Sequence, residues 1–485
     1  MNYHSTRNEQ LTASSTHAVL QGIAPDGGLY ICDPARLGFD WRAALEKSTL
    51  DMAADILHAL LPDFDDMPAL VRASYKDKFP TSDLTPLTPV ADKYVLELYH
   101  GPTSAFKDVA LSVLPHLIGA AAKAEGMKGD VVILTATSGD TGKAAMEGFH
   151  DVPGTRIIVF YPYGGVSAVQ QAQMATQTGG NVKVCAVRGN FDDAQTGVKR
   201  IFSDEALREE LAGRGYFLSS ANSINIGRLA PQVVYYFRAY GDLVRAGRIQ
   251  LGDKVDFTVP TGNFGDILAG WFAKCMGLPV GRLVCASNAN DVLTEFLRTG
   301  RYDRRRPFYK TTSPSMDILV SSNLERLLYL LSGDAAYVAS LMAQFSEQGW
   351  YQVSDELLAK LQESFGCGCC DDAGAARVIG ELWREEKYLC DPHTAVAWAV
   401  GQGQTGDAPM VVLSTASPHK FPAAVLGALG EDTGDDEFAM MEKLHDITGA
   451  AIPANLRGLE GRPVLHKDVI DKTAMEDYVL AEILK

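Results

Sequence analysis

The sequence predicts an α/β protein made of two parallel-sheet lobes behind a mixed N-terminal lead-in module, and three observations carry that expectation. From Val95 onward, short β-branched runs alternate with helical stretches. Those runs are continuously apolar rather than alternating in polarity, the pattern of strands whose two faces are both covered by helices. The length of 485 residues leaves room for two or three domains at roughly 150 residues each.

Taken in order, residues 1–95 read as the lead-in: Pro25-Asp26-Gly27-Gly28 is a turn signal, and Trp41–Leu61 carries helix-spaced apolar positions. An apolar helix follows over Val109–Ala122. Strands are expected at Val131–Thr135, Arg156–Tyr161 and Val182–Val187, with helices at Ala168–Thr178 and Asp193–Leu211 between or after them. A helix from about Ile226 to Ala246 and the break Gly247–Gly252 close the first lobe. The second brings strands at Val255–Pro260, Leu283–Ala286 and Met410–Thr415. The expected division is therefore 1–95, 96–245 and 246–485. Ligands in such folds sit beyond the carboxyl ends of the strands, so the loops after strands are where chemistry is sought.

Composition narrows the function classes. Lys plus Arg is 44 against 60 Asp plus Glu, a net charge of −16 that repels nucleic-acid phosphates and anionic lipid. No apolar run reaches the roughly 18 residues of a spanning helix, and the first residues lack a signal-peptide pattern. A cytoplasmic protein with no nucleic-acid or membrane partner is expected. The eight Cys are mostly single residues in apolar stretches, such as Cys185 and Cys285, and no disulfide is expected. Cys367-Gly368-Cys369-Cys370 reads as a flexible acidic surface loop leading into Asp371-Asp372; it has no second ligand pair elsewhere, so no metal site is expected. Arg301, Arg304, Arg305 and Arg306 make Thr299–Ser315 locally basic, a solvated loop that could flank an anion entrance.

Three loops carry chemistry. The strand ending at Pro260 runs into Thr261-Gly262-Asn263-Phe264-Gly265-Asp266 before a helix, and free amides at a helix start suit a phosphate; a tight turn with Asp266 as N-cap is the plainer reading. After Val131–Thr135 comes Ala136-Thr137-Ser138-Gly139-Asp140-Thr141-Gly142-Lys143, donors for a small anion such as a carboxylate. It is not a nucleotide P-loop, since Thr137 and Ala144 stand where that motif needs Gly and Ser or Thr. In Gly101-Pro102-Thr103-Ser104-Ala105-Phe106-Lys107-Asp108 the lysine sits at an element boundary, where partial desolvation frees its amine as a nucleophile; a surface lysine paired with Asp108 is the alternative. Gly401–Gly406 fits the letters of a dinucleotide fingerprint but lies between a helix and a strand, the wrong context.

These same residues carry a resemblance to the threonine synthases, pyridoxal-phosphate enzymes of the tryptophan-synthase-β fold class, fold type II. It runs through Tyr3–Arg7, Ala24–Tyr30, Gly101–Asp108, Thr137–Gly142, Asn222–Gln232, Gly262–Asp266 and Ser414–Phe421. The resemblance implies that Lys107 bears pyridoxal 5'-phosphate as a Schiff base. It further implies that Gly262, Asn263, Phe264, Gly265 and Asp266 hold the cofactor phosphate, and that the Thr415 hydroxyl faces the pyridine nitrogen. Ser138, Gly139, Asp140 and Thr141 would bracket the substrate carboxylate and the cofactor's ring oxygen; Asp140 stands where many relatives of the fold class carry Asn. Asn225 and Arg228 are candidates for the substrate phosphate, and His393 reads as a structural residue at a helix start.

The implied reaction takes O-phospho-L-homoserine and water to L-threonine and phosphate, by a monomer or homodimer. A phospho-lyase making 2-oxobutyrate from the same substrate would share every motif. From a different class, the α/β lobes could bind a metabolite without turning it over.

Overall fold

The computed structural model describes residues 2–137 and 139–484. Two mainly parallel sheets organise the chain. The six-stranded sheet runs in the spatial order Phe365–Cys369, Val280–Ser287, Val255–Pro260, Met410–Ser414, Lys93–Glu97, Leu87–Val90. Its first five strands are parallel, and the last pairs antiparallel across a turn at Ala91 and Asp92. The five-stranded sheet runs Asp468–Asp471, Val182–Arg188, Thr155–Pro162, Asp130–Ala136, Tyr216–Ser219, all parallel. The continuous apolar runs have the expected cause: all six residues of Val255–Pro260 are buried, because helices cover both faces.

The lead-in module is a three-stranded antiparallel sheet, Asn8–Ala13, Tyr3–Ser5 and Tyr30–Ile31, with the helices Thr49–Leu60 and Met67–Tyr75. Its first strand is tied down by buried contacts: the Tyr3 hydroxyl donates to the Leu60 carbonyl at 2.6 Å, and Arg7 pairs with Glu325 at 2.8 Å.

Long helices expected from periodicity alone are broken where a local signal outweighs it. Trp41–Leu61 splits into Trp41–Leu45 and Thr49–Leu60, the second capped by the Ser48 side chain on the Asp51 amide. Asp193–Leu211 splits into Phe191–Ser203 and Glu205–Gly213, because Asp204 leaves helical geometry and caps the second. The helix from Ile226 gives way to a tight turn around Pro231 and resumes as Val233–Arg245. A larger departure concerns Cys367–Cys370. Rather than a surface loop, Phe365–Cys369 is the edge strand of the six-stranded sheet, paired in register with Leu283–Ser287.

The chain's last elements also return across the molecule. Asp468–Asp471 adds an edge strand beside Val182–Arg188, and Met475, Val479 and Ile483 of the final helix pack with Ile158, Val187 and Ile201. The two sheets are therefore not drawn from two contiguous halves of the chain.

Candidate active site

The loop that delivers Lys107 is stitched to the end of the strand Met410–Ser414. The Phe106 amide donates to the Thr415 carbonyl at 2.8 Å, the Ser417 amide to the Ser104 carbonyl at 3.1 Å, and Ala105 bridges Ala416. Ser104 takes a left-handed conformation, φ 57°, costly for a residue with a Cβ and held by these flanking bonds. Asp108 is buried and accepts from the Thr103 amide at 2.8 Å and the Thr103 hydroxyl at 2.5 Å. Gly101 leaves no alternative there, since a Cβ would stand 2.5 Å from the Asp108 Cβ. Asp108 therefore builds the turn, and Lys107 is not its ion-pair partner.

Lys107 opens the helix Lys107–Leu111, with Nζ 3.5 Å from the Ser315 hydroxyl and 4.7 Å from the Phe106 ring centre. Burial lowers its pKa to about 8; the Lys420 and Arg228 charges act in the same direction, and Asp140 opposes them. Three cations thus lie within electrostatic reach of one another, offset by the carboxylates of Asp140 and Asp108. Burial disfavours the charge on Asp140, yet the ammonium of Lys420, 2.6 Å away, together with Lys107 holds its carboxyl well below the usual range. Lys420 is itself buried and also donates to the Thr103 carbonyl at 3.2 Å. This ion pair is the structural counterpart of an Asp where Asn is the commoner residue.

Ser138 lies outside the described residues. Its neighbours form a tight turn: the Thr137 hydroxyl accepts from the amides of Gly139 at 3.0 Å and Gly142 at 2.9 Å, and Gly139 has φ 144°. Thr141 is half-buried in the first turn of Asp140–Phe149.

At the second loop, Phe264 is left-handed, φ 61°, and turns the chain into the helix Gly265–Cys275. Its ring packs into the core against Phe365, 5.9 Å between centres, so it offers the loop only its backbone. A Cβ on Gly262 would meet the Ser315 carbonyl oxygen at 2.8 Å. Asp266 accepts from the hydroxyls of Tyr235 and, at 3.2 Å, Tyr236; burial pushes its pKa up to about 7. Thr415 is buried.

Arg228 is buried, with no carboxylate partner among the described residues. Its Nη1 donates to the Ala221 carbonyl at 3.1 Å, its Nε is orphaned among the described residues, and burial lowers its pKa to about 10. Asn225, expected beside it as a phosphate ligand, is spent elsewhere. Its amide donates to Val19 and Ser220 carbonyls at 2.8 and 3.3 Å and its oxygen caps the Gly227 amide, so it anchors the turn that carries Arg228.

Sequence reasoning read Thr299–Ser315 for its arginines and passed over the hydroxyls of 311–323, which were visible. Ser321 and Asn323 hold the Gly262 and Asn263 carbonyls at 2.8–3.1 Å, and the Ser315 amide donates to His393 Nε2 at 3.1 Å. His393 Nδ1 in turn meets Asp391 at 2.5 Å. His393 is thus a helix-start residue that also positions Ser315. Most of the arginines nearby are paired: Arg301 and Arg305 share Asp303, and Arg306 meets Asp291 and Glu295, while Arg304 lies over the Phe345 ring at 4.8 Å. Among the described residues no group of three His, Cys, Asp or Glu could hold a metal, and no helix is long and apolar enough to cross a membrane.

Pyridoxal phosphate fits this donor set: a lysine amine of lowered basicity, the start of the helix Gly265–Cys275 behind the loop glycine Gly262 that has no room for a Cβ, and a buried guanidinium whose Nε is orphaned among the described residues.

Comparison with known proteins agrees with that fit. Residues 2–85 match the family model "Threonine synthase N terminus", 84–416 "Pyridoxal-phosphate dependent enzyme" and 394–479 "Threonine synthase, C-terminal". The chain is 38% identical to a Pseudomonas aeruginosa threonine synthase over 448 residues, covering 88% of this chain and 90% of that one. It is 36% identical to human "Threonine synthase-like 1" over 480 residues; the match covers 95% of this chain but 63% of that longer relative. Among solved structures, PLP-bound threonine synthase from Brucella melitensis superposes with a TM-score of 0.87 at 38% identity, covering 99% and 98% of the two chains. The yeast threonine synthase gives 0.86 at 32%, covering 100% and 98%.

Proposed function

Because the chain belongs to the threonine synthase family of pyridoxal-phosphate-dependent lyases, we propose that it converts O-phospho-L-homoserine and water to L-threonine and phosphate, with Lys107 bearing the cofactor. The observation that carries this reading is a pair of anion receptors near one lysine. The Gly262–Asp266 helix start is one, and the buried guanidinium of Arg228, with no carboxylate partner among the described residues, is the other. One suits the phosphate of a cofactor and the other the phosphate of a substrate.

Bound there, pyridoxal phosphate would supply an electron sink for the α-carbon of an attached amino acid. The backbone amides of Gly262, Asn263, Phe264 and Gly265 would hold its phosphate, with Asp266 fixing the helix start between two tyrosines, and the Thr415 hydroxyl would face the ring nitrogen. Ser138, Gly139 and Thr141 would take the substrate carboxylate and the ring oxygen. Asp140, locked to Lys420, would hold that turn against the Lys107 loop. Lys107 Nζ, basic near pH 8, moves the proton at the α-carbon. Arg228 takes the departing phosphate's charge, worth more in a buried site than in water. Asn225 fixes the turn behind it.

Product analysis with O-phospho-L-homoserine tests the reading. Threonine and phosphate in equal amounts is the expected result. Release of 2-oxobutyrate would identify the phospho-lyase instead, and binding without turnover would overturn the enzyme reading.

A further inference from the structure

A cavity of about 1270 Å³ lies between the Tyr99–Ser104 stretch, the helix Asp140–Phe149, the residues ending at Thr178 and the segment 448–465. Its lining takes in Ser104 but not Lys107, Arg228 or the Gly262–Asp266 loop, and the proposed reaction makes no use of it.

Its walls hold hydrogen-bonding groups with nothing to bond. Gln173 is 1% exposed, and neither atom of its amide has a partner among the described residues. Nε2 of His419, 2% exposed, and Nδ2 of Asn455 are in the same position. Buried polar groups are nearly always satisfied, so a cluster of exceptions around one cavity marks a place that a polar guest completes. The charges indicate which guest. Lys78, Lys387 and Arg462 line the space without ion pairs among the described residues, and Lys143 adds a fourth cation; the acidic lining is Asp77 and Glu147, and Glu147 already meets Lys143 at 3.4 Å. Donors outnumber acceptors, which suits an acceptor-rich anion.

The cavity is also wired to the catalytic loop. Asn455 Oδ1 accepts from the Ser104 hydroxyl at 2.9 Å, and Ser104 is the left-handed residue three positions before Lys107. On the other wall, His419 adjoins Lys420, which holds Thr103 and Asp140.

We propose that this cavity is a regulatory site for a small anionic metabolite bearing carboxylate or phosphate, recognised by Gln173 and Arg462 and coupled to Lys107 through Asn455 and Ser104. The inference goes beyond the proposed reaction and is tested without assuming its product.

Thermal stabilisation of the holoenzyme is measured against citrate and, separately, inorganic phosphate; the effective probe tells which anion is preferred. Saturable stabilisation is expected, weakened about tenfold or more in Arg462→Ala, the loss of one charge-assisted hydrogen bond. It should survive in Arg228→Ala, which removes the other phosphate receptor. Arg462 is exposed, so its replacement leaves the fold intact; Gln173→Leu is the second variant. The effective probe should change KM or kcat of the parent, and the change should vanish in Asn455→Ala. Absence of stabilisation by both probes, or equal binding in Arg462→Ala and Gln173→Leu, overturns the site. Binding that leaves both kinetic constants unchanged overturns the coupling.

Discussion

At the scale of single residues, Lys107 and its charged neighbours carry the testable chemistry. On the proposed reading Lys107→Ala should lower turnover at least about a thousandfold, since it would remove both the proposed carrier of the α-proton and the proposed cofactor tether; steady-state assay with O-phospho-L-homoserine reads this. Because burial lowers the Lys107 pKa to about 8, its amine is neutral above that pH. Capture of pyridoxal phosphate by the apoprotein should therefore accelerate as pH rises through about 8, followed by visible absorbance. Asp266 gives a prediction of opposite chemistry. Its folded-state pKa of about 7 exceeds the ordinary 3.8, so the folded chain holds an extra proton between those values. The stability this group supports is complete below about pH 4 and is lost as pH rises through 7. Asp266→Asn should gain thermal stability on the parent apoprotein above pH 7 and none at pH 4. The Gly262–Asp266 loop stood out because its glycines sit in a local pattern of turn and helix, whereas Lys107 and Arg228 were singled out by the family resemblance, their local patterns reading as readily as surface positions. The contacts of Lys420 and Ser315 were not legible, since their partners Asp140 and Lys107 lie 280 and 208 residues away and leave no trace in neighbouring positions; His393 was read as a helix-start residue, but its hold on Ser315, 78 residues away, was not.

At the scale of elements, strands were easier to read than helix ends. Apolar runs such as Val182–Arg188 announce themselves, whereas Ser48 and Asp204 interrupt helical periodicity without disturbing it, and only the cap chemistry of the side chain shows the break. Phe365–Cys369 was misread because its two glycines and two cysteines lack strand propensity; pairing with Val280–Ser287 decides its form. The contact between the Asp140 helix and the 418–420 turn is equally non-local, and it makes a strong prediction. Asp140→Asn strands the buried Lys420 ammonium and should cost about 3–5 kcal/mol of stability. Adding Lys420→Met to that variant should restore much of the loss in denaturant titration, because the cost comes from an unpaired buried charge.

At the scale of the whole molecule, the order of strands and helices was legible, but the crossings between distant segments were not. Arg326, fully buried, donates to Tyr30 and Ile224 carbonyls at 2.9 and 2.6 Å and so binds the lead-in module to the segment that carries Arg228. Nothing near Arg326 in sequence announces that contact.

The return of Asp468–Asp471 to the sheet that carries Asp140 sets a constraint on how the protein is made. Translation passes every strand of the six-stranded sheet before this one receives its edge, and Ile158, Val187 and Ile201 lack the cover of Met475, Val479 and Ile483 until the helix that carries those residues emerges. A premature stop anywhere upstream of this strand should leave a sticky, half-covered layer that proteases remove, so incomplete chains would be cleared before any could compete for the coenzyme.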